Sequence, residues 1–413
     1  LMSLLSARDL GYINTLSTIE RLEHTVRTMN KMDKWNGHFY NWYNTETLEP
    51  LRPLYVSTVD NGNLVGYLIT LLQALDDLVK RPLIGRENVL GLRDIILSDL
   101  GREKLERQSL LNMLLASGDV SITEWHMMLD DLKGQYKELD QRIAEYEKEA
   151  TLLIPWIEQL KIIPVPLQNE KGVFSSASKK LTELLNELNH SLSIQYLYDH
   201  YLDILKKLSE IISSLNRDAS RSPGFAEAKK WLKQLELSLG KSYLATKDFL
   251  VRCQQLRRNI EKFITEMDFN LLYDKKKELF SIGMNVEEEQ LSNVYYDLLA
   301  SEARQTSFIA IAKGDIPQKH WFKLGRALSL VGDLRVLISW SGTMFEYFMP
   351  LLIMKNYENT LLDETYTAVV LAQKQYSEQH RIPWGSSESG FYAFDLHLNY
   401  QYKAFGVPKL GLK

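Results

Sequence analysis

At 413 residues, with 45% hydrophobic and 25% charged residues, the chain has the composition of a globular protein and not of a disordered one. Lys plus Arg number 49 against 53 Asp plus Glu, a formal net charge of −4, so no basic surplus exists to hold a nucleic acid. The single cysteine, Cys253, excludes an intrachain disulfide; it falls in a helical pattern as a small core residue and fits a reducing compartment.

Residues 1 to 80 read as helix, loop, helix. The chain starts without a cap or a basic leader, as a segment cut from a longer protein would. Leu16, Ile19, Leu22 and Val26 recur at helical spacing ahead of the turn-rich GHFYNW stretch. Asn63 reads as the N-cap of a second helix whose apolar face, Ile69, Leu72, Leu75 and Val79, ends near Pro82. The loop between them carries Tyr40, Trp42, Tyr43, Asp60, Asn61 and Asn63, aromatic and hydrogen-bonding groups of the kind that line sugar clefts; Trp42 serves equally well as a core anchor.

From about residue 81 to 265 the pattern changes to long amphipathic stripes. Thr123 reads as the cap of one long helix through Trp125, Met128, Leu129, Leu132, Tyr136, Leu139, Ile143 and Tyr146. Pro155, Pro164 and Pro166 interrupt the chain, a second stripe runs from Leu181 to Leu215, and after Pro223-Gly224 a third helix extends from about Phe225 to Ile264. This block reads as an inserted helical bundle. Gly240-Lys241-Ser242 imitates the end of a phosphate loop, but Leu235 stands where the earlier glycine is required.

After residue 265, Leu279 to Met284 suggests a short strand or hairpin, followed by a helix bearing YYDLLASEAR. On such a helix Leu291, Tyr295, Leu298 and Glu302 share one face, which puts a carboxylate where an apolar residue is expected. Burial disfavours the charged form of a carboxyl, which suits a general acid; the bland alternative is a buried Glu paired with an arginine, and Arg304 points elsewhere. Val336 to Met354 is apolar but broken by Ser339, Ser341, Gly342, Glu346 and Pro350, so it is no plain membrane-spanning helix. Glu346, among Phe345, Tyr347 and Phe348, reads as a structural hydrogen-bonding group. Near the end, RIPWGSSESGF sets Glu388 among small residues, with Trp384 and Phe391 at its ends. Small residues admit a substrate to the backbone, a ring offers a platform to a pyranose face, and a lone carboxylate can act as nucleophile or acid/base; a Glu that caps a helix has the same local composition. Asp395, His397, Tyr400, Gln401 and Tyr402 then alternate polar and aromatic groups that suit either sugar subsites or helix packing.

No H-E-x-x-H or C-x-x-C occurs and the eight histidines are scattered, so no metal site is expected. The G-x-S-x-G elbow is missed by one position at Ser389. Two glutamates remain, and paired carboxylates cleave glycosides.

The ordered series SARDLGYI, GHFYNWYNTETLEPL, YVSTVDNGNL, YYDLLASEAR, AIAKGDIPQKHWFKLGR, SWSGTMFEY, PWGSSESGFY and LNYQYKAFGVPKLGLK resembles the middle, glucoamylase-like cyclization domain of bacterial cyclic β-1,2-glucan synthases. The matches lie in residues 1 to about 80 and about 266 to 413. The resemblance implies an all-α fold, an (α/α)6 barrel built from 1–80 and 266–413 with 81–265 inserted; the flanking stretches are short for twelve helices, so the barrel is expected to be incomplete. It implies a retaining transglycosylase that cleaves linear β-1,2-glucan and closes it into a ring, with Glu388 as nucleophile and Glu302 as acid/base, or the reverse. Trp42, Trp340, Trp384 and Tyr400 are expected as stacking platforms, and Asp60, Asn63 and Arg304 as partners of sugar hydroxyls. No cofactor is implied. The expected partners are the glucan and the other domains of a parent synthase, at the cytoplasmic face of a bacterial inner membrane. A hydrolytic glucanase and a non-catalytic glucan-binding module are the alternatives.

Overall fold

The computed structural model describes residues 1–100, 120–134, 137–169, 171, 173–190, 192–219, 222–394 and 400–412. The fold is mostly helical, with sixteen α-helices among the described residues. It is not purely so: short strands pair as small antiparallel sheets, among them Tyr55–Ser57 with Gly283–Asn285, and Glu388–Phe394 with Tyr400–Ala404. The chain divides into two compact units, one of residues 1–27 and 71–259, the other of 28–70 and 260–413. Three helices, Thr15–Lys31, Thr58–Lys80 and the 42-residue Phe225–Glu266, contribute residues to both.

In the first unit the apolar stripes are buried as their spacing requires: Ile19 and Leu22 are fully covered, as are Trp125 and Trp156. The helix expected from Thr123 to Tyr146 is instead two, Ile122–Leu132 and Lys137–Leu153, because Gly134 takes a left-handed φ of 77° at which an L side chain is strained. Its cap is Ser121, whose hydroxyl accepts the Glu124 amide while Glu124 reaches back to the Ser121 amide. The second stripe is likewise split into Ser175–Asn189, Ile194–Asp199 and Tyr201–Ala219, the first and last of which pack along each other. Cys253 is buried, and that burial pushes its thiol up to about 12, so it is a core residue without a reactive thiolate.

In the second unit two expectations are corrected. Asn63 does not cap its helix. The helix begins at Thr58, where the Thr58 amide and hydroxyl bond the carbonyls of Ile282 and Ser281, so Asp60, Asn61 and Asn63 lie on its first turns and not in a loop. The segment YYDLLAS is not helical either. Tyr295 bridges to Ser281, the Asp297 carboxylate accepts the Leu299 amide, and Ser301 has a φ of 51°, so the helix starts only at Ala303. The tail, whose polar and aromatic alternation suits sugar subsites or helix packing alike, is the hairpin Glu388–Phe394 and Tyr400–Ala404; Asp395 and His397 lie outside the described residues, as does the Tyr400 side chain. Leu298, Leu299, Val336, Leu337, Tyr347, Ala368, Val369 and Leu410 form a buried apolar cluster under this unit's chain ends. Among the described residues no helix is long and apolar enough to cross a membrane.

A buried carboxyl in the first unit generates a prediction. Glu149 is 4% exposed; its carboxylate accepts the Leu16 amide at 2.6 Å, and the Arg8 side chain, whose Nε donates to Thr15, adds its charge. Burial outweighs these and pushes the Glu149 carboxyl up to about 7 from 4.5. The folded state therefore binds a proton that the unfolded chain has released. Stability from this group is fully present below about 4.5 and is lost as pH rises through about 7, by on the order of 3 kcal/mol. Urea unfolding followed through Trp125 and Trp156 fluorescence at pH 5 and pH 8 is expected to show this decline in the wild type and a flatter dependence in Glu149→Gln.

Candidate active site

The candidate site lies in the second unit and starts from two glycines. In Gly62-Asn63-Leu64-Val65-Gly66 the glycines sit four residues apart on one face of helix Thr58–Lys80, against helix Ala303–Lys313. A Cβ on Gly62 would fall 1.9 Å from the Thr306 hydroxyl oxygen, and one on Gly66 would meet Ile353 at 2.7 Å, Ile309 at 2.9 Å and Gln305 Nε2 at 3.1 Å. The missing side chains let the two helices approach. Asn63, between the glycines in sequence, is thereby brought to Glu302, the residue just ahead of the second helix.

Glu302 is 5% exposed, as its sequence context suggested, although by a turn and not by a helical face. Asn63 Nδ2 donates to its Oε1 at 2.9 Å, and the Ser301 hydroxyl donates to its Oε2. Gln305 Nε2 in turn donates to Asn63 Oδ1 at 2.9 Å. Tyr67, one helical turn beyond Asn63, and Tyr296 both lie close enough for the Glu302 charge to add to burial in raising their phenols. Asp60, exposed in the helix's first turn, acts on Tyr296 in the same way.

Glu346 differs from Glu302. It is 2% exposed and accepts bonds from the Ser339 hydroxyl at 2.8 Å, the Ser341 and Thr343 amides at 3.1 Å, and the Thr343 hydroxyl at 3.1 Å, closing a capping box on helix Met344–Phe348. A carboxylate so occupied is structural. Arg304 is 1% exposed; its guanidinium donates to the Glu346 carbonyl at 2.8 Å, to the Tyr347 carbonyl and to the Tyr366 hydroxyl at 3.3 Å. These bonds tie it to the end of a short helix and to a tyrosine of helix Leu361–His380.

Glu388 stands at the first position of strand Glu388–Phe394. The loop before it is pinned from two helices: the Met344 amide donates to the Ser386 carbonyl and the Phe345 amide to the Ser387 hydroxyl, each at 3.1 Å, while the Gln373 amide pairs with the Ser386 backbone in both directions. These bonds hold Glu388 beside the helix whose start Glu346 caps. Glu388 is half-buried, and burial, then the charge of Glu346, then that of Glu302, raise its carboxyl above the ordinary range. Tyr402, diagonal to Glu388 across the hairpin, donates its hydroxyl to Oε2.

The aromatic residues separate into two groups. Trp340 is partly buried and stacks on Tyr296, ring centroids 5.5 Å apart and 22° from parallel, beside the Glu302 neighbourhood. Trp42, 49% exposed, leans on Tyr55 at 6.5 Å, and Tyr55 is itself among the groups acting on Tyr296. Trp384 is 53% exposed, with the Lys374 ammonium 5.2 Å from its ring centroid. Sequence reasoning missed Tyr67, Tyr296 and Gln305, while Tyr402 was among the tail residues it offered for sugar subsites. The available signals were Tyr67 four residues after Asn63 and the G-x-x-x-G spacing that demands a close neighbour.

A stretch of 158 residues, 38% of the chain, is 47% identical to the cyclic beta-(1,2)-glucan synthase NdvB of Rhizobium meliloti (strain 1021). Over this stretch the chain is similar to that synthase. The match spans only 6% of the relative's length. No family model matches the chain. Among the described residues, no group of three or more His, Cys, Asp or Glu side chains could hold a metal ion.

The helix approach yields a prediction. Gly62→Ala puts its Cβ against Thr306 and Phe39-anchored Asn61 keeps the helix start from shifting freely, since Asn61 bonds Phe39 in both directions at 2.8 and 2.9 Å. The variant is expected to lose about 1 to 3 kcal/mol of stability by overpacking. Thermal unfolding checks it; a Tm equal to wild type would show that the helices do not need the gap.

Proposed function

We propose that this chain carries the cyclizing site of a cyclic β-1,2-glucan synthase, a retaining transglycosylase in which Glu388 is the nucleophile and Glu302 the acid/base. The reading is supported by the proximity of two carboxyls held by unrelated elements: Glu302 precedes a helix and Glu388 begins a strand, yet the Glu302 charge reaches Glu388. The partial identity to a protein named as a cyclic glucan synthase supplies the substrate class. The fold proposed for the second unit is part of an (α/α)6 barrel, with residues 81–265 as a helical insertion and the other domains of a membrane-bound parent synthase, at the cytoplasmic face, as partners.

In the proposed reaction, a Glu388 carboxylate oxygen attacks the anomeric carbon of a β-1,2-linked glucose while Glu302 gives its proton to the departing O2 of the next sugar. The C1–O2 bond breaks and a glycosyl ester forms. Glu302, now ionised, takes the proton of the 2-hydroxyl at the chain's own non-reducing end. That oxygen attacks the ester carbon, Glu388 leaves, and the ring closes with the β-configuration restored. Transfer needs water excluded and the acceptor held near at high effective concentration. The Tyr296–Trp340 stack and the exposed rings of Trp42 and Trp384 are suited to packing against sugar faces. One glycosidic bond replaces another, so the reaction draws on no cofactor.

A second assignment has its own support. Glu388 is raised by burial and like charge, which favours an acid and supports the reversed roles. Azide separates the two. With an activated β-glucosyl substrate, the acid/base variant yields β-glycosyl azide and the nucleophile variant yields the α-anomer.

Incubation with linear β-1,2-glucan, read as product resistant to an exo-acting glucosidase against new reducing ends, tests the function. Cyclic product without reducing ends is expected. Glu388→Gln should fall to background, and Glu302→Gln by about 10² to 10⁴-fold. Undiminished cyclization in either variant overturns the pair, and reducing ends alone indicate a hydrolase. Trp384→Ala is expected to raise KM roughly fivefold, about 1 kcal/mol of stacking, and to increase the fraction of hydrolysis.

A further inference from the structure

Asn63 and Gln305 lie one behind the other behind Glu302, and neither reaches it by chance of surface exposure: they are 8% and 0% exposed. A carboxylate only accepts hydrogen bonds, so Asn63 must turn its NH2 group to Glu302 Oε1, which leaves its oxygen toward Gln305. Gln305 answers with Nε2 at 2.9 Å. Turned the other way, Gln305 would set its own oxygen against that of Asn63, two acceptors with no proton between them. The present orientation leaves Gln305 Oε1 buried without a partner, an unfavourable state accepted where the other end of the amide is fixed. Gly66 makes the room, since a Cβ there would stand 3.1 Å from Gln305 Nε2. On its other side Gln305 lines a groove of about 500 Å³ with Ile69, Phe308, Ile353 and Tyr357.

We infer that Gln305 and Asn63 form a two-amide relay that positions Glu302 and sets when it exchanges its proton, an inference that rests on Glu302 being one of the reacting carboxyls. With Glu302 ionised, the donors run from Gln305 to Asn63 to Glu302. With Glu302 protonated, its hydroxyl donates to Asn63 Oδ1, Asn63 Nδ2 turns to Gln305 Oε1, and the amide end without a partner becomes the Gln305 NH2. Each state leaves one buried end unpaired, so the relay reverses with the proton. Gln305 is a positioning residue that acts through Asn63. The other groups whose charge couples to Glu302 are Tyr67 on the helix of Asn63, Tyr296 in the preceding turn, Arg304 beside it and Glu388 on the strand.

The test is a double-mutant cycle read as the pH midpoint of the Glu302 carboxyl, followed by carbon-13 NMR in the full 413-residue chain and assigned by Glu302→Gln. Loss of a donor to the charged form moves the midpoint up, by about one unit for Asn63→Leu and about half a unit for Gln305→Met. Because Gln305 acts only through Asn63, the double variant should match Asn63→Leu alone. Additive shifts, or an unmoved midpoint in Gln305→Met, overturn the relay and leave a packing role. If Gln305→Met does not fold, the nearly isosteric Gln305→Glu replaces it: its upward shift should shrink in the Asn63→Leu background, and an equal shift in both backgrounds overturns the relay. Activity of Glu302→Gln is read separately. Full cyclization there removes Glu302 from the reaction, whatever the midpoints show.

Discussion

The close approach of helix Thr58–Lys80 to helix Ala303–Lys313 is the constraint on which the candidate site depends. Only a side chain reduced to hydrogen at Gly62 and Gly66 allows it, because any Cβ would fall on Thr306, Ile309, Ile353 or Gln305. The first turns of the second helix are accordingly buried although polar: Arg304, Gln305, Thr306 and Ser307 are all at most 1% exposed. Polar groups so placed need partners. Arg304 finds backbone carbonyls, Ser307 finds His320 at 2.9 Å, and Gln305 finds Asn63, whereas the Thr306 hydroxyl, against Gly62, has no hydrogen-bond partner among the described residues. The hydrogen bond on Glu302 is the end of that chain of requirements.

Three glutamates show how environment divides roles within one unit. Glu346, with donors on both oxygens from a turn and a helix start, holds the chain; Glu302, with Asn63 and Ser301 beside it, is buried near two tyrosines; Glu388 is half-open and, among the described residues, accepts from Tyr402. Burial and its two acidic neighbours raise the Glu388 carboxyl, so it is a more basic carboxylate than usual. In the proposed reaction the two carboxyls would take different parts, one attacking the anomeric carbon and the other moving the proton of the glycosidic oxygen.

The sequence made much of the helical layer legible, because apolar periodicity reports burial whatever the helix packs on: Leu16 to Val26 and Phe225 to Ile264 each fall within one helix, and the stripe from Leu181 to Leu215 falls mostly on three. It failed where a single backbone dihedral decides. Gly134 and Ser301 break patterns whose side-chain spacing runs on unperturbed, so stripes through them were read as continuous helix. Helix caps were misread by a few residues at Asn63 and Thr123, since Ser, Thr, Asp and Asn crowd both starts and any of them can cap. Among the candidate site residues, Glu302, Glu388, Trp340 and Asn63 were legible as polar or aromatic groups in unusual company. Gln305 was not: inside a helix its letter is ordinary, and a neighbour 242 positions away in sequence is what bonds it. Arg304, a charged letter beside a candidate acid, bonds helix-end carbonyls and a tyrosine, which its sequence position does not reveal.

Whether Glu302 and Glu388 act on one bound sugar is read most directly by covalent labelling with a β-glucosyl epoxide of cyclophellitol type extended by β-1,2-linked glucose. Such a probe needs one carboxyl to protonate the epoxide and a second to attack its carbon, so its incorporation reports both at once. Mass mapping of the digested protein is predicted to find the ester on Glu388 in the wild type and none in Glu302→Gln. A label on any carboxylate other than these two, or undiminished labelling of Glu388 in Glu302→Gln, would contradict a shared site.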